Sequence, residues 1–163
     1  MGLGYLPQEN SIFRGLNVEQ NIMAVLENVE NNYAIRKNML KSLLEEFSIA
    51  HLRYSPSVAL SGGERRRLEI ARCLASGPSY ILLDEPLAGV DPVSVTEISE
   101  LIDKLKEKNI GVLITDHNVF ETLKIVDRAY ILYDGKILKH GTPKQIVSDK
   151  QVKKVYLGEE FNF

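Results

Sequence analysis

Apolar residues recur along this chain in two patterns, one typical of helices and one typical of short strands. Amphipathic stripes with apolar residues three or four positions apart predict helices at about 17–26, 33–47, 62–75, 92–108 and 118–126, with short ones from 142 and 149. Short apolar runs bounded by proline or polar residues predict strands at 2–6, 80–84 and 112–115. Two further runs, 129–133 and 136–140, flank Asp134 and Gly135, a pair that favours a two-residue hairpin turn. Strands that alternate with helices indicate an α/β fold with a mostly parallel sheet.

The start of the helix at 62–75 has features of an anion-binding helix terminus. Ser61 is placed to cap the helix, and Glu64 three residues later completes a capping box. Gly62 and Gly63 leave the first turn without side chains, so its backbone N–H groups can approach an anion that the helix dipole favours. Further along the helix, the arginines at 65–67 are interpreted as a solvated face and Arg72 as a support for the loop before the helix.

Two carboxylates, Asp84 and Glu85, stand at the end of the predicted strand 80–84. Open α/β sheets bind their ligands beyond the carboxyl ends of their strands, which places both acids at the expected ligand edge. Neighbouring side chains on an extended chain point to opposite faces, so the two acids can do different jobs. Pro86 is expected to hold Glu85 in an extended conformation. Asp84 and Glu85 could alternatively cap the next helix, but Asp91, just before Pro92, is already placed to do so.

Composition narrows the class of protein further. A chain of 163 residues corresponds to one domain, and a net charge of -2 gives no indication of nucleic-acid binding. The single cysteine, Cys73, excludes an internal disulfide, suits a reducing compartment and is interpreted as a packing residue. No apolar run reaches the roughly 18 residues of a membrane span, and no basic-then-apolar leader opens the chain. We therefore expect a cytoplasmic chain whose membrane contacts come only through partners.

Several segments, in this order, resemble the motifs of ABC-type ATPases. Gln8 after Tyr-Leu-Pro resembles the Q-loop glutamine, and Leu60–Glu64 resembles the family's signature motif. Ile81–Glu85 resembles the Walker B strand with its catalytic glutamate, and Ala88–Asp91 resembles the D-loop. His117, after Ile-Thr-Asp, resembles the switch histidine. The order and spacing of these motifs carry the resemblance from about Gly4 to the carboxyl terminus.

The resemblance implies an incomplete P-loop NTPase (RecA-like) core with an inserted helical subdomain. The core comprises residues 1–8 and 77–163, with a hairpin and helices at its carboxyl end, and the helical subdomain comprises residues 9–76. The family's ATP-cradling loop, G-x-x-x-x-G-K-[ST], has no match in the chain. The chain therefore resembles the carboxyl-terminal two-thirds of a nucleotide-binding domain, and a shortened gene model, a deliberate truncation and a natural one remain open.

The resemblance also assigns roles to individual residues. Asp84 is the expected Mg²⁺ partner through a coordinated water, and Glu85 is the expected base for the water that attacks ATP. Gln8 is expected to contact both Mg²⁺ and that water, and His117 to contact the γ-phosphate. The signature residues, which are Ser61, Gly62, Gly63 and Glu64, are expected to close on the nucleotide of a second domain. Asp91 is expected at the interface with that domain.

The implied partners are a second ATPase domain, normally as a homodimer, and two transmembrane permease subunits. Permeases of the family dock in a groove of the helical subdomain beside the Q-loop, which would place the chain peripherally on the inner face of the inner membrane. Candidate groove residues are Phe13, Leu16, Val18 and Met23, although apolar residues at helical spacing equally suit a core.

The transported substrate is suggested by smaller segments. Residues 4–9, 11–13, 61–69, 115–118 and the tail at 155–159 most resemble ATPases of bacterial lipopolysaccharide-export systems. Branched-chain amino-acid importers, with a similar Q-loop and tail, are the alternative. Two other classes remain open: a non-transport ABC protein acting on DNA or ribosomes, and an interaction fragment that associates through uncovered strand edges.

A first prediction concerns nucleotide binding. The chain contains the closing and hydrolysing residues but no match to the loop that holds the triphosphate, so we expect little or no binding of Mg-ATP and no measurable turnover by the chain alone. Isothermal titration with Mg-ATP measures this directly. Clear micromolar binding by the isolated chain would contradict the prediction.

Overall fold

The computed structural model describes residues 2–88 and 92–157, without the side chains of residues 92–94 and 157. The strands are β1 (Leu3–Leu6), β2 (Tyr80–Asp84), β3 (Gly111–Thr115), β4 (Ala129–Tyr133) and β5 (Lys136–Gly141). The helices are α1 (Val18–Leu26), α2 (Tyr33–Glu46), α3 (Gly62–Leu74), α4 (Pro92–Glu107), α5 (Val119–Ile125), α6 (Pro143–Ser148) and α7 (Lys150–Val152). Short 3₁₀ turns cover Ala50–Leu52 and Ser57–Ala59, and a π-helical turn covers Lys153–Leu157. The predicted elements are confirmed, with ends that differ by one or two residues.

The first three strands form a parallel sheet in the order β1-β2-β3. Leu83 lies between Leu6 and Ile114, and Asp84 pairs with Thr115. The three strands therefore end at the same edge. The last two strands form a separate antiparallel hairpin, and its turn residues Asp134 and Gly135 have φ values of 48° and 69°. Positive φ at both positions is what the predicted hairpin turn requires.

Side-chain caps fix where the helices begin. Capping boxes join Asn17 to Gln20 and Ser61 to Glu64, the second as predicted. At α5 the spacing of Asn118 and Glu121 also suits a capping box, but only half of it forms: Asn118 accepts the Glu121 N–H, and the Glu121 carboxylate bonds to Lys124 at 2.8 Å. The helix still begins at the predicted position, because one satisfied N–H is enough to mark its start.

The main core lies between one face of the parallel sheet and helices α1 to α4. A smaller apolar cluster joins the hairpin to α5, α6 and α7 through Leu123, Ile131, Ile146 and Val152. Val18 has no exposed surface, so its proposed place in a docking groove is wrong: it is a core residue. Phe13, by contrast, is 47% exposed. Among the described residues, no helix is long and apolar enough to cross a membrane.

Close packing joins β1 to α3. Gly4 is buried, and a Cβ placed there would lie 2.4 Å from the Cys73 sulfur. Burial raises the pKa of the Cys73 thiol to about 11, which keeps it protonated and unreactive near neutral pH. Both observations agree with the interpretation of Cys73 as a packing residue.

Replacing Gly4 with alanine should therefore destabilise the fold. The added methyl group clashes with the Cys73 sulfur, and overpacking of this kind costs about 1–3 kcal/mol of unfolding free energy. Urea denaturation measures the change. Gly15→Ala is the matched control, because a Cβ at Gly15 meets no atom within 4 Å, and it should change stability by less than about 0.5 kcal/mol.

A double-variant cycle tests the cause of that loss. Cys73→Ala removes the clashing sulfur, and the other neighbours of a Cβ at Gly4 lie at 3.5 Å, an ordinary contact. Gly4→Ala should therefore cost clearly less in the Cys73→Ala background than in the unmodified chain. Equal costs in the two backgrounds would show that the sulfur contact is not the reason.

Candidate functional site

Three of the predicted site residues meet where the parallel strands end. The Gln8 amide nitrogen, Nε2, donates a hydrogen bond to Oε2 of Glu85 at 2.8 Å. Nδ1 of His117 lies 3.5 Å from the same oxygen. The His117 side chain is 68% exposed and the Glu85 side chain 34% exposed, so a ligand at this edge can reach both. The shared end of the three strands brings these side chains together from positions far apart in the sequence.

The backbone of Glu85 differs from the prediction. Its φ is 43°, in the left-handed region, so the expectation of an extended residue before Pro86 is wrong. The Glu85 N–H donates to the Thr115 carbonyl at 2.7 Å, and its own carbonyl accepts the Ala88 N–H at 3.2 Å. The chain turns sharply to make both bonds. A non-glycine residue in this region is strained, and such strain is concentrated at functional sites.

Asp84 is held by a hydroxyl on each side. Its Oδ1 accepts from Oγ1 of Thr115 at 2.7 Å, and its Oδ2 accepts from the Tyr5 hydroxyl at 3.0 Å. The hydrogen bond to Asp84 raises the pKa of Tyr5, because it favours the protonated phenol. The two hydroxyl donors fix the direction of the carboxylate toward the edge of the sheet. Neither hydroxyl was singled out from the sequence, where tyrosine and threonine in strands are ordinary.

The geometry at Asp84 suits a magnesium ion held mostly by other ligands. A carboxylate oxygen that accepts one hydrogen bond keeps lone-pair capacity for a second donor, such as a metal-bound water. Within the described part of the chain, no group of three or more histidine, cysteine or acidic side chains is placed to enclose a metal. Mg²⁺ commonly keeps several waters and takes one or two carboxylates together with substrate phosphates. Asp84 fits that sparse donor set.

The amino end of α3 has the structure predicted for it. Ser61 Oγ accepts the Glu64 N–H at 3.4 Å, and the Glu64 carboxylate accepts the Ser61 N–H at 2.8 Å. The Ser61 hydroxyl also donates to the Glu64 carboxylate at 2.8 Å. The hydrogen bonds that the Ser61 N–H and hydroxyl donate to this carboxylate lower the pKa of Glu64, and the N–H has the larger effect. A Cβ at Gly62 would meet no atom within 4 Å, and one at Gly63 would meet only Oε2 of Glu97, at 3.0 Å. The first turn is therefore open to approach.

One cleft of about 550 Å³ connects the two parts of the site. Its walls include Gln8 and Glu85 from the sheet edge, and Gly62 and Gly63 from the amino end of α3. The predicted phosphate-contacting turn and the predicted water-activating carboxylate thus open onto the same space. Asp91, predicted to lie at the interface with a second domain, is outside the described residues.

Asp116 has a role that sequence reasoning missed. Its Oδ2 accepts the Leu87 N–H at 2.9 Å, and its Oδ1 accepts the Asn118 N–H at 2.8 Å. The carboxylate therefore ties the turn after Glu85 to the loop that carries His117. The bond to the N–H two residues later is a typical aspartate turn and could have been inferred from the sequence. The bond to Leu87 depends on the tertiary fold.

The arginines of α3 are not the solvated face that was expected. Those at 65–67 are half buried, and two of them lie within ion-pair distance of Glu69, at 3.3 Å, and Glu97, at 3.7 Å. Arg72 does not support the loop before α3. Its guanidinium instead donates to Oγ of Ser11 at 2.8 Å, in the segment that follows Gln8.

Family models match both ends of the chain. Residues 1–88 match the model described as ABC transporter. Residues 140–162 match a model described as branched-chain amino acid ATP-binding cassette transporter.

Several curated proteins match nearly the whole chain. A probable ABC transporter ATP-binding protein from Azorhizobium caulinodans is 60% identical over 99% of this chain. The lipopolysaccharide export system ATP-binding proteins LptB of Haemophilus influenzae and Escherichia coli are 57% and 56% identical over 98% of it. The chain spans 57% of the length of the first of these relatives and 67% of the other two.

Solved structures agree with the fold. The cbiO1 protein of Clostridium perfringens, part of the ABC transporter complex cbiONQ, superposes with a TM-score of 0.84 and 29% identity. The alignment includes 97% of this chain and 64% of the cbiO1 chain. MJ1267, an ATP-binding cassette of an ABC transporter solved in its ADP conformation, gives a TM-score of 0.80 with 27% identity over 97% of this chain and 69% of its own. The likeness includes the α/β core with its parallel sheet.

Removing the Asp116 carboxylate should loosen the link between the two loops. Asp116→Ala leaves the N–H of Leu87, a buried residue, without its acceptor, and we expect a loss of about 2–3 kcal/mol of unfolding free energy. Asp116→Asn keeps one oxygen acceptor and should lose less. Urea denaturation compares these variants with Asp103→Ala, whose side chain is 69% exposed and should cost less than about 0.5 kcal/mol. A loss for Asp116→Ala no greater than that control would contradict this role.

Proposed function

Since the chain belongs to the ATP-binding proteins of ABC transporters, we propose that it supplies the part of the ATPase that closes on the γ-phosphate and activates the attacking water. The observation that carries this proposal is the contact of Gln8 and His117 with one oxygen of Glu85, at the edge where the three parallel strands end.

Glu85 acts as the base or polariser of the attacking water. The contacts to Gln8 and His117 both involve Oε2, which orients the carboxylate without covering it. In phosphoryl transfer the protein contributes mainly positioning and charge stabilisation, so a carboxylate held in one orientation is the useful group. His117, as the more exposed of the pair, is placed to donate a hydrogen bond to the γ-phosphate.

Asp84 would hold the magnesium ion through a coordinated water. When bound, Mg²⁺ would supply positive charge that offsets the charge of the phosphates. The contribution of this chain is orientation: Tyr5 and Thr115 direct the Asp84 carboxylate toward the ligand edge. Gln8, whose side chain bonds to Glu85 at the same edge, would contact both the ion and the attacking water.

Ser61, Gly62 and Gly63 form the closing surface for a nucleotide. The backbone N–H groups of Gly62 and Gly63 lie at the positive end of the α3 dipole in a sterically open turn, while the Ser61 N–H is bonded to the Glu64 carboxylate. In the proposed head-to-tail dimer this turn meets the γ-phosphate bound by a second ATPase domain, and Asp91 lies at that interface. Since the 163 residues include no G-x-x-x-x-G-K-[ST] segment, the loop that holds the triphosphate has to be supplied by other sequence.

Lipopolysaccharide export is the transport function we favour. Support comes from the identity to the two proteins named as LptB, at 57% and 56%. The match of residues 140–162 to a branched-chain amino acid transporter model keeps amino-acid import as the second candidate. In either case the exposed Phe13, at the end of the loop that begins with Gln8, belongs to the surface that meets the permease subunits. These subunits would lie at the inner face of the inner membrane.

A chimera tests the catalytic assignment. The segment that precedes the matched region in the E. coli relative, where the family resemblance places the ATP-cradling loop, is joined to this chain to supply the expected missing part of the site. We expect ATP turnover by the chimera and a loss of at least about 100-fold in kcat for Glu85→Gln, because the amide cannot act as a base. ATP binding by the Glu85→Gln chimera should persist.

Glu107→Gln is the matched control for this experiment. Glu107 is an exposed carboxylate at the carboxyl end of α4, and the same substitution there should leave kcat within about twofold. Turnover that survives in Glu85→Gln, while binding and melting temperature are unchanged, would overturn the assignment of Glu85.

A further inference from the structure

A buried carboxylate on α3 holds the loop that follows Gln8. Glu69 is only 4% exposed, although it is charged. Its Oε1 accepts the backbone N–H of Ser11 at 2.8 Å, and its Oε2 lies 3.3 Å from the guanidinium of Arg66. The contact between Glu69 and Ser11 joins residues 58 positions apart in the sequence.

Arg72, one turn further along α3, holds the same loop at two more points. Its guanidinium donates to Oγ of Ser11 at 2.8 Å and stacks over the Phe13 ring, 4.7 Å from the ring centre. Burial lowers the pKa of Arg72, and the charge of Glu69 acts in the opposite direction. The two side chains of α3 therefore compensate each other's charge while both bind the loop.

The other side of the loop is fixed to α1. Asn21 is completely buried; its side chain accepts the Phe13 N–H at 2.8 Å and donates to the Phe13 carbonyl at 3.1 Å. Oγ of Ser57 donates to the same carbonyl at 3.0 Å. The segment from Ser11 to Phe13 is thus held on one side by α3 and on the other by α1 and Ser57.

A packing role alone does not explain a charged residue at position 69. Removing a carboxylate from water is unfavourable, and well-packed apolar residues often stabilise a core better than an ion pair does. What the carboxylate adds is direction, because it binds one particular backbone N–H and so fixes the position of the loop. Gln8 is the first residue of this loop, and its side-chain amide donates a hydrogen bond to Oε2 of Glu85.

We propose that Glu69 and Arg72 are positioning residues: they fix the loop from Gln8 to Phe13 to α3, and thereby hold the Gln8 side chain against Glu85. The consequence for catalysis rests on the proposed function, because it assumes that Gln8 and Glu85 act on the attacking water. The contacts that join the loop to α3 do not depend on that assumption. The closing turn at the amino end of α3 and the glutamine at the sheet edge then move as one unit.

Hydrogen exchange measured by NMR on the 163-residue chain tests the linkage. In Glu69→Ala the Ser11 N–H loses its acceptor, and its exchange should become at least about 100-fold faster than in the unmodified chain. Glu69→Gln keeps an oxygen acceptor of the same length and should restore most of the protection, within about tenfold of the unmodified chain. The Gln20 N–H, which is bound by Asn17, serves as the internal reference and should change by less than threefold.

The side-chain amide resonance of Gln8 reports on the effect at the site. It is assigned by its absence in Gln8→Ala, and it should move in Glu69→Ala toward the position that it takes in Glu85→Ala, where its partner is gone. Arg72→Lys keeps the charge but not the planar group that binds Ser11 and stacks on Phe13, so it should produce a smaller shift in the same direction. Glu107→Gln should leave the resonance in place.

Two results would overturn the proposal. One is an equal acceleration of exchange at the Ser11 and Gln20 N–H groups in Glu69→Ala, because that would indicate a general loss of stability. The other is a Gln8 resonance that does not move in either α3 variant. The Glu85→Gln chimera tests the proposed function separately from the contacts between the loop and α3. If the turnover of this chimera persists, the proposed function fails. The hydrogen-exchange data still decide whether Glu69 holds the loop.

Discussion

The parallel register of β1, β2 and β3 is the constraint on which the site depends. Thr115 makes this visible, because it pairs with Asp84, donates its hydroxyl to that carboxylate and accepts the Glu85 N–H at its carbonyl. A slip of one residue would break all three relations and turn each side chain to the other face of the sheet. The loops that carry Gln8 and His117 meet at one edge because the three strands end at the same level of the sheet.

Several charged side chains serve the geometry of the site rather than its chemistry. Asp116 joins two backbone N–H groups on separate loops, and Glu69 binds a third on the loop after Gln8. A carboxylate suits this task because it is a strong acceptor that can satisfy two donors at once. Strand ends and loops offer unpaired N–H groups, and these acids satisfy them where no strand or helix can.

How much the sequence could predict depended on the distance between interacting residues. Helices, strands, the hairpin turn and the capping boxes at Asn17 and Ser61 arise from neighbours within a few positions, and all were predictable to within a residue or two. The contact between Arg72 and Ser11 spans 61 positions, and no local pattern indicates it. Val18 was misplaced for the same reason, since periodicity shows that a helical face is apolar but not what covers it. Gln8 and His117 were singled out by the resemblance of their motifs, and they meet Glu85 because parallel strands share an edge.

The left-handed backbone at Glu85 has a consequence for how this position tolerates change. Glycine adopts such a conformation without steric cost, and asparagine does so more readily than glutamate. A replacement that discards the acidic group can therefore relax the main chain and make the polypeptide more heat-resistant while abolishing its chemistry. The acidic group and a relaxed main chain are therefore opposing demands at this one position.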